Sequence, residues 1–446
     1  MKPFLFIILC LFTLCLLPTA ATRQMIPLDK AFKDYWEAGG TAARSRAAKK
    51  ILKTNPAFDE VFSRLETGRT YSGKVKRGRL SKARVGIHSV RYPYVIYVPP
   101  SYEPSKSYPA AVYLHGGVAS PELADPVIWW RFADTIYNEN RITVLPVSWN
   151  ESMWWQYAQV ENLAGIMDLL KQEYNIDENR IYLFGVSDGG TGIYYYASKL
   201  TTPWAAFIPV IGSPGVLNSP AAGTEGQIYA VNISNKPFLV FNGGVDPLYP
   251  ASAVQPFVDL FADAGCNIRF RPKPSFGHTA EWWDKEAEQM EQFMKEHPRV
   301  PYPDSLAWET EDANRFGRAH WLVITQLGTV EGESRLNPWN IIRPDNVSSR
   351  GRQAFSRKHP SGRVELHKKG NRVDAFTQGV KEFKLLISPR AFDFQQPVEV
   401  FTNGVRAFSG KLTPDPAVLL KWAALDNDRT MLFGAEITVT VRGLSL

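Results

Sequence analysis

A short apolar run, Ile181 to Phe184, passes directly into Gly185-Val186-Ser187-Asp188-Gly189-Gly190, and small and aromatic residues follow. No other stretch constrains the fold as tightly. The run predicts a buried strand, the residues after Gly190 predict a helix, and the glycines between them permit a bend too sharp for larger side chains. A serine at the apex of such a bend presents its hydroxyl clear of both elements. The same letters also fit an ordinary turn, so the surrounding sequence has to decide.

A serine nucleophile needs a base, a carboxylate to orient that base, and donors for an oxyanion. Pro237 to Phe241 reads as a strand that breaks at Asn242-Gly243-Gly244, with Asp246 on the loop. Val254, Phe257, Val258 and Phe261 then fall at helical spacing. Ile268 to Arg271 reads as the next strand, and Ser275-Phe276-Gly277-His278 as its loop. The chain has seven histidines, five of them beyond Asp246. Of those five, His278 alone follows a strand directly and precedes a helix, near 281–294. The candidate catalytic residues are therefore Ser187, Asp246 and His278. Taken singly, Asp246 also reads as a helix N-cap and His278 as a surface histidine. The order Ser, Asp, His, each after a strand, is the pattern of the α/β-hydrolase triad.

Ala110 to Leu114 predicts a further strand, and His115-Gly116-Gly117-Val118 its loop. The N–H of Gly117 or of Val118, with that of Asp188, is the expected oxyanion hole. His115 lies beside the pocket but reads better as an imidazole that fastens this loop. Two tryptophan pairs sit on loops of the same sheet end. Trp154-Trp155 reads equally as substrate-binding wall or as core, and Trp129-Trp130 as core.

From Tyr94 to about Pro298 the chain resembles secreted α/β-hydrolase esterases of the poly(3-hydroxybutyrate) depolymerase and feruloyl esterase group, which grades into prolyl-oligopeptidase-type hydrolases. The resemblance is carried by Tyr97-Val98-Pro99, Tyr113-Leu114-His115-Gly116-Gly117, Tyr174-Asn175-Ile176-Asp177, Ser187-Asp188-Gly189-Gly190, Gly244 to Asp246 and Gly277-His278. It implies ester hydrolysis through an acyl-serine intermediate. It spans a little under half of the chain and specifies chemistry better than substrate.

At 446 residues, two or three domains are expected. Residues 1–21 read as a signal peptide: Lys2, the apolar run Phe4 to Leu17, then small residues ending at Ala21. Residues 22–90 read as a helical segment leading into the first strands, a brace for the catalytic domain. In 91–299, short apolar runs alternate with helices, which gives an α/β class with a mostly parallel sheet and helices on both faces. Residues 305–446 are rich in strand-like runs and read as a β-sandwich, either a binding module or a structural lid.

Of three cysteines, Cys10 and Cys15 fall in the leader, so Cys266 is left without a disulfide partner. No paired Cys or His spacing points to a metal, and the expected chemistry requires no cofactor. The net charge of +7 is mild for this length. Its densest basic run, Arg350 to Arg372, reads as a solvated face or as a surface for acidic polysaccharide or cell envelope. No nucleic-acid motif accompanies it, and no stable membrane insertion is expected after leader cleavage. Asn150, Asn232 and Asn346 head Asn-x-Ser/Thr sequences.

The resulting expectation is a secreted or periplasmic serine esterase acting on a small or polymeric carboxylic ester of plant-polysaccharide acyl or polyester type. A serine peptidase is the first alternative, although about 70 residues before the hydrolase core leave no room for an oligopeptidase propeller. A catalytically idle glycan- or polymer-binding protein on the same fold is the second.

Overall fold

The computed structural model describes residues 27–86, 89–121, 136–329, 332, 335–336, 339–342 and 351–441. The expected leader, Trp129-Trp130 and Asn346 lie outside these residues. Three helices come first: α1 (Pro27–Glu37), α2 (Gly40–Leu52) and α3 (Phe58–Thr67). Helix α1 buries Leu28, Ala31, Phe32 and Tyr35 on one stripe. Helix α3 stops at Gly68, which takes φ 79°, a conformation that favours glycine.

Eight strands form the main sheet: β1 (Gly78–Val85), β2 (Arg91–Val98), β3 (Tyr108–Leu114), β4 (Ile142–Pro146), β5 (Ile176–Val186), β6 (Ala206–Val210), β7 (Phe238–Gly243) and β8 (Ile268–Lys273). Their order is β1-β2-β4-β3-β5-β6-β7-β8. The pairs β1–β2 and β2–β4 are antiparallel, and all pairs among β3 to β8 are parallel. Strands β4, β6 and β7 are buried along their whole length, as strands covered on both faces must be.

Alternation along the strands separates two cores. Val112, Leu114 and Leu183 point into one, and Ala111, Tyr113, Tyr182 and Phe184 into the other. Helices α4 (Tyr157–Glu173), α5 (Asp188–Lys199) and α6 (Ala251–Asp263) fill the first core; α7 (Trp283–Glu296) covers the second. This is the α/β-hydrolase fold.

The rest of the chain adds β9 (Ser305–Thr310), β10 (Arg318–Ala319), β11 (Leu322–Leu327), β12 (Ile341–Ile342), β13 (Arg352–Gln353), β14 (Gly362–Lys369), β15 (Arg372–Gln378), β16 (Val380–Ile387), β17 (Val398–Thr402), β18 (Val405–Gly410), α8 (Pro416–Asp426) and β19 (Ala435–Thr440). Sheets β10-β11-β16-β19 and β18-β17-β15-β14-β9 enclose one apolar core, the expected sandwich. Asn403 and Gly404, at φ 49° and 82°, make the tight turn between β17 and β18.

Helix α8 places Leu419, Leu420, Ala423 and Ala424 in a common core with α1–α3. The N-terminal helices therefore brace the C-terminal region first. They reach the hydrolase layer through buried Arg44, which pairs at 2.8 Å with Asp168 of α4.

The sandwich is fastened to the hydrolase core by buried polar contacts. Asn232 donates to Ser198 O and Glu309 O, both at 2.8 Å, and accepts the Glu309 N–H at 2.7 Å. With every amide atom engaged, this sequon is closed to glycosylation in the folded protein. Lys199 and Glu311 form a buried pair at 2.7 Å, and Phe355 packs on Phe257 and Phe261 of α6. Lys199 ends the helix that Ser187 opens, about 18 Å away along the axis, so this ion pair sits well behind the nucleophile.

Four side chains of the basic run pair with carboxylates. Arg357 pairs with Glu309, Arg363 with Glu365, Lys368 with Asp304 and Arg372 with Asp374, all between 2.5 and 2.9 Å. Among the described residues no helix is long and apolar enough to cross a membrane.

Candidate active site

Strand β5 ends at Val186 and α5 begins at Asp188, leaving one residue for the bend. Ser187 takes φ 56° and ψ −118°. Such a conformation costs a non-glycine residue about 1–3 kcal/mol and persists only where its surroundings enforce it. Here the Ser187 N–H donates to Val210 O at 2.9 Å, and Ser187 O accepts the Thr191 N–H at 3.0 Å. A Cβ on Gly185 would stand 2.2 Å from Gly189 O, and one on Gly189 2.0 Å from Leu114 O. The two glycines of Gly-x-Ser-x-Gly are thus required by contact with backbone.

The structure brings the three sequence-nominated residues together. Ser187 Oγ lies 2.9 Å from His278 Nε2, and His278 Nδ1 lies 2.8 Å from Asp246 Oδ2. The other carboxylate oxygen, Oδ1, accepts the N–H groups of Leu248 at 2.8 Å and Tyr249 at 3.0 Å. An acceptor-only carboxylate at Nδ1 assigns the proton to that nitrogen and leaves the Nε2 lone pair facing the serine hydroxyl. The Asp246 side chain is fully buried, whereas that of His278 is 22% exposed. Tyr249 meets the imidazole edge-on at 5.6 Å. All three residues follow parallel strands at their carboxyl ends, where open α/β sheets place their sites.

The loop after β3 lies against this bend. A Cβ on Gly116 would sit 2.8 Å from Ser187 Cβ, so a larger residue would push loop and nucleophile apart. Gly117 follows at φ 70°. Between the two expected donors the structure chooses: the Val118 N–H is taken by Asp188 Oδ2 at 3.0 Å, so Val118 is withdrawn from the oxyanion hole. Of the expected donors, the N–H groups of Gly117 and Asp188 are left. The Asp188 N–H opens α5, where no helical carbonyl precedes it.

His115 holds the loop, as the sequence suggested. The Ser148 N–H donates to its Nε2 at 3.0 Å, and its Nδ1 lies 2.8 Å from Gly116 O. Both ring nitrogens thus fasten backbone, and burial pulls its pKa down to about 4, which keeps it neutral.

Trp154 and Trp155 are core rather than pocket wall. Both are buried, and their indole N–H groups donate to His115 O at 2.9 Å and Ala222 O at 2.7 Å. The loop of Asp246 carries two exposed apolar side chains, Val245 and Leu248, at 64% and 60%. Val245 donates its N–H to Phe276 O at 3.2 Å, which sets it beside the His278 loop. Sequence reading missed this pair, although both lie within two positions of Asp246 on a loop already assigned to the triad.

No protein-family model matches the chain. It is 30% identical over 144 residues to a bifunctional acetylxylan esterase/xylanase of Neocallimastix patriciarum, covering 31% of this chain and 21% of that protein. It is 28% identical over 130 residues to dipeptidyl-peptidase 5 of Porphyromonas gingivalis, covering 26% and 19%. The chain thus spans about a fifth of the length of the curated relatives it matches. A solved ferulic acid esterase superposes with a TM-score of 0.38 at 17% identity, over 50% of this chain and 99% of that one. Base, acid and serine stand in the arrangement of serine α/β-hydrolases, on the fold those enzymes use.

Proposed function

We propose that this protein is an exported serine esterase that hydrolyses carboxylic esters of plant-polysaccharide acyl or polyester type. The observation that carries the reading is the continuous chain Ser187–His278–Asp246, at 2.9 and 2.8 Å, with the serine on a strained bend. Ser187 Oγ attacks the ester carbonyl while His278 Nε2 takes its proton, and Asp246 stabilises the imidazolium that forms. The Gly117 and Asp188 amides receive the charge on the carbonyl oxygen, each worth roughly 3–4 kcal/mol in such sites. His278 returns the proton to the departing alcohol. A water molecule, deprotonated by the same imidazole, then releases the acid and restores Ser187.

The ester class is supported by the likeness to an acetylxylan esterase and by the exposed apolar side chains of Val245 and Leu248. Export is supported by Lys2 and the apolar run Phe4 to Leu17. A serine peptidase is the second reading, supported by the likeness to a dipeptidyl-peptidase.

The deciding experiment measures hydrolysis of p-nitrophenyl acetate through octanoate, of methyl ferulate and of dipeptidyl p-nitroanilides, by the protein and by Ser187→Ala. Serine-dependent ester turnover that exceeds dipeptide turnover is expected. Faster dipeptide release would install the peptidase, and equal activity of Ser187→Ala would remove Ser187 from the chemistry.

A further inference from the structure

Resting on the serine-hydrolase reading above, we propose that the Asp188 side chain is a positioning residue that clamps the oxyanion loop to the nucleophile bend. Asp188 then acts twice, its N–H as one oxyanion donor and its carboxylate as the brace that aims the other. The argument comes from what holds residues 115–120. Ser148 and Trp154 grip His115, and the Asn150 N–H donates to Ser120 O at 2.9 Å. These bonds tie the loop to residues 148–154, the segment after β4. From the loop to the bend itself runs the Val118 N–H, which donates to Asp188 Oδ2 at 3.0 Å.

The bond sits where alignment matters. Gly117, the donor to be aimed, precedes Val118 directly, and at φ 70° it has no side chain to wedge it in place. A Cβ on its neighbour Gly116 would stand 2.8 Å from Ser187 Cβ, so the loop runs close along the bend and a small drift would change where Gly117 points. A hydrogen bond from the residue after Gly117 to the residue after Ser187 spans that gap directly. Oxyanion donors act only when placed within about 2.7–3.1 Å of the developing charge, so a loop that drifts loses the rate before it loses the fold.

A carboxylate is an odd choice beside a forming oxyanion, because its charge opposes the one the reaction creates. If the role is geometric, the acceptor oxygen matters and the charge does not. Asparagine keeps that oxygen, alanine does not, and the two substitutions therefore separate positioning from electrostatics.

The test compares the full chain with Asp188→Ala and Asp188→Asn, using p-nitrophenyl acetate kinetics and hydrogen–deuterium exchange of peptides covering 114–121. Asp188→Ala is expected to lower kcat by about 10²-fold with KM within threefold, the loss typical of one oxyanion donor. Asp188→Asn is expected to restore most of that rate. Exchange across 114–121 should rise at least tenfold in Asp188→Ala and stay near wild type in Asp188→Asn. Unchanged exchange in Asp188→Ala overturns the clamp whether or not the protein turns over any ester. An Asp188→Asn variant as slow as Asp188→Ala, with wild-type exchange in the loop, assigns the role to charge and overturns it too. Failure of the underlying reading looks different: the wild-type protein and Ser187→Ala would then be indistinguishable on every substrate.

Discussion

Replacing Asp246 by asparagine tests the proton arrangement with little disturbance to the fold. In the native loop Oδ1 holds two backbone N–H groups, at 2.8 and 3.0 Å, and Oδ2 holds the histidine. An asparagine keeps both backbone bonds only if its carbonyl oxygen takes the Oδ1 place. The opposite orientation would set an NH₂ group against two donors and leave them unpaired, at about 1–3 kcal/mol each. The NH₂ is thereby fixed toward His278, where it can only donate. The imidazole answers by presenting a lone pair at Nδ1 and moving its proton to Nε2, which then faces Ser187 as a donor and accepts nothing. A wrong tautomer of this kind costs about 10⁴ in kcat, or about 5.5 kcal/mol. Stability should fall by about 1–3 kcal/mol, since three neutral bonds replace three charge-assisted ones. The assay is kcat for p-nitrophenyl acetate at pH 7, paired with a thermal melt. A fall of less than tenfold in a correctly folded Asp246→Asn protein would refute the assignment of the Nδ1 proton and of the role of Asp246.

His115 makes the fold acid-sensitive. Its folded pKa of about 4 lies below the ordinary 6.5, so the unfolded chain binds the extra proton and stability drains as pH falls from 6.5 toward 4, by about 3 kcal/mol in all; urea unfolding at pH 7 and 4.5 should show a smaller loss for His115→Gln than for wild type. Gly189→Ala drives a Cβ to 2.0 Å from the Leu114 carbonyl and should abolish soluble folded protein, whereas Gly39→Ala, with nothing within 4 Å, should leave the melting temperature unchanged or slightly raised. Trp154→Phe removes the indole bond to His115 O and should cost about 1 kcal/mol in unfolding experiments while leaving the acyl-chain preference as it was; a changed preference would return Trp154 to the pocket wall. Lys199→Met leaves the Glu311 carboxylate buried without its cation and should cost about 3–5 kcal/mol, read from urea midpoints.

The residues that carry chemistry were legible because they are local. Ser187, Asp246 and His278 each follow a short apolar run, and glycine marks each bend, so order and punctuation located them before any contact was known. Strand β1 was hidden because it alternates Arg79, Ser81 and Lys82 with modest apolar neighbours at a sheet edge and carries little hydrophobic signal. Helix α8 was hidden for the opposite reason. It is apolar on almost every side, since Leu420 faces the N-terminal helices and Trp422 the sandwich, so no single stripe betrays its period. The destination of a side chain was the hardest part to read. Nothing in Trp154-Trp155 says which side of the loop becomes core, and nothing in Val118 says that a carboxylate 70 positions on will take its N–H.

The partnership of α8 with the first helices bears on how the chain is born. Arg44 donates to the Ala424 carbonyl, 380 positions away, at 3.0 Å. A ribosome delivers Phe32, Ile51 and Val61 first and their partners Leu419 and Leu420 last. Until then this apolar surface has nowhere to go, and the earliest part of the chain waits for the latest. A product stopped before α8 would leave Phe32, Ile51 and Val61 uncovered and open to proteases.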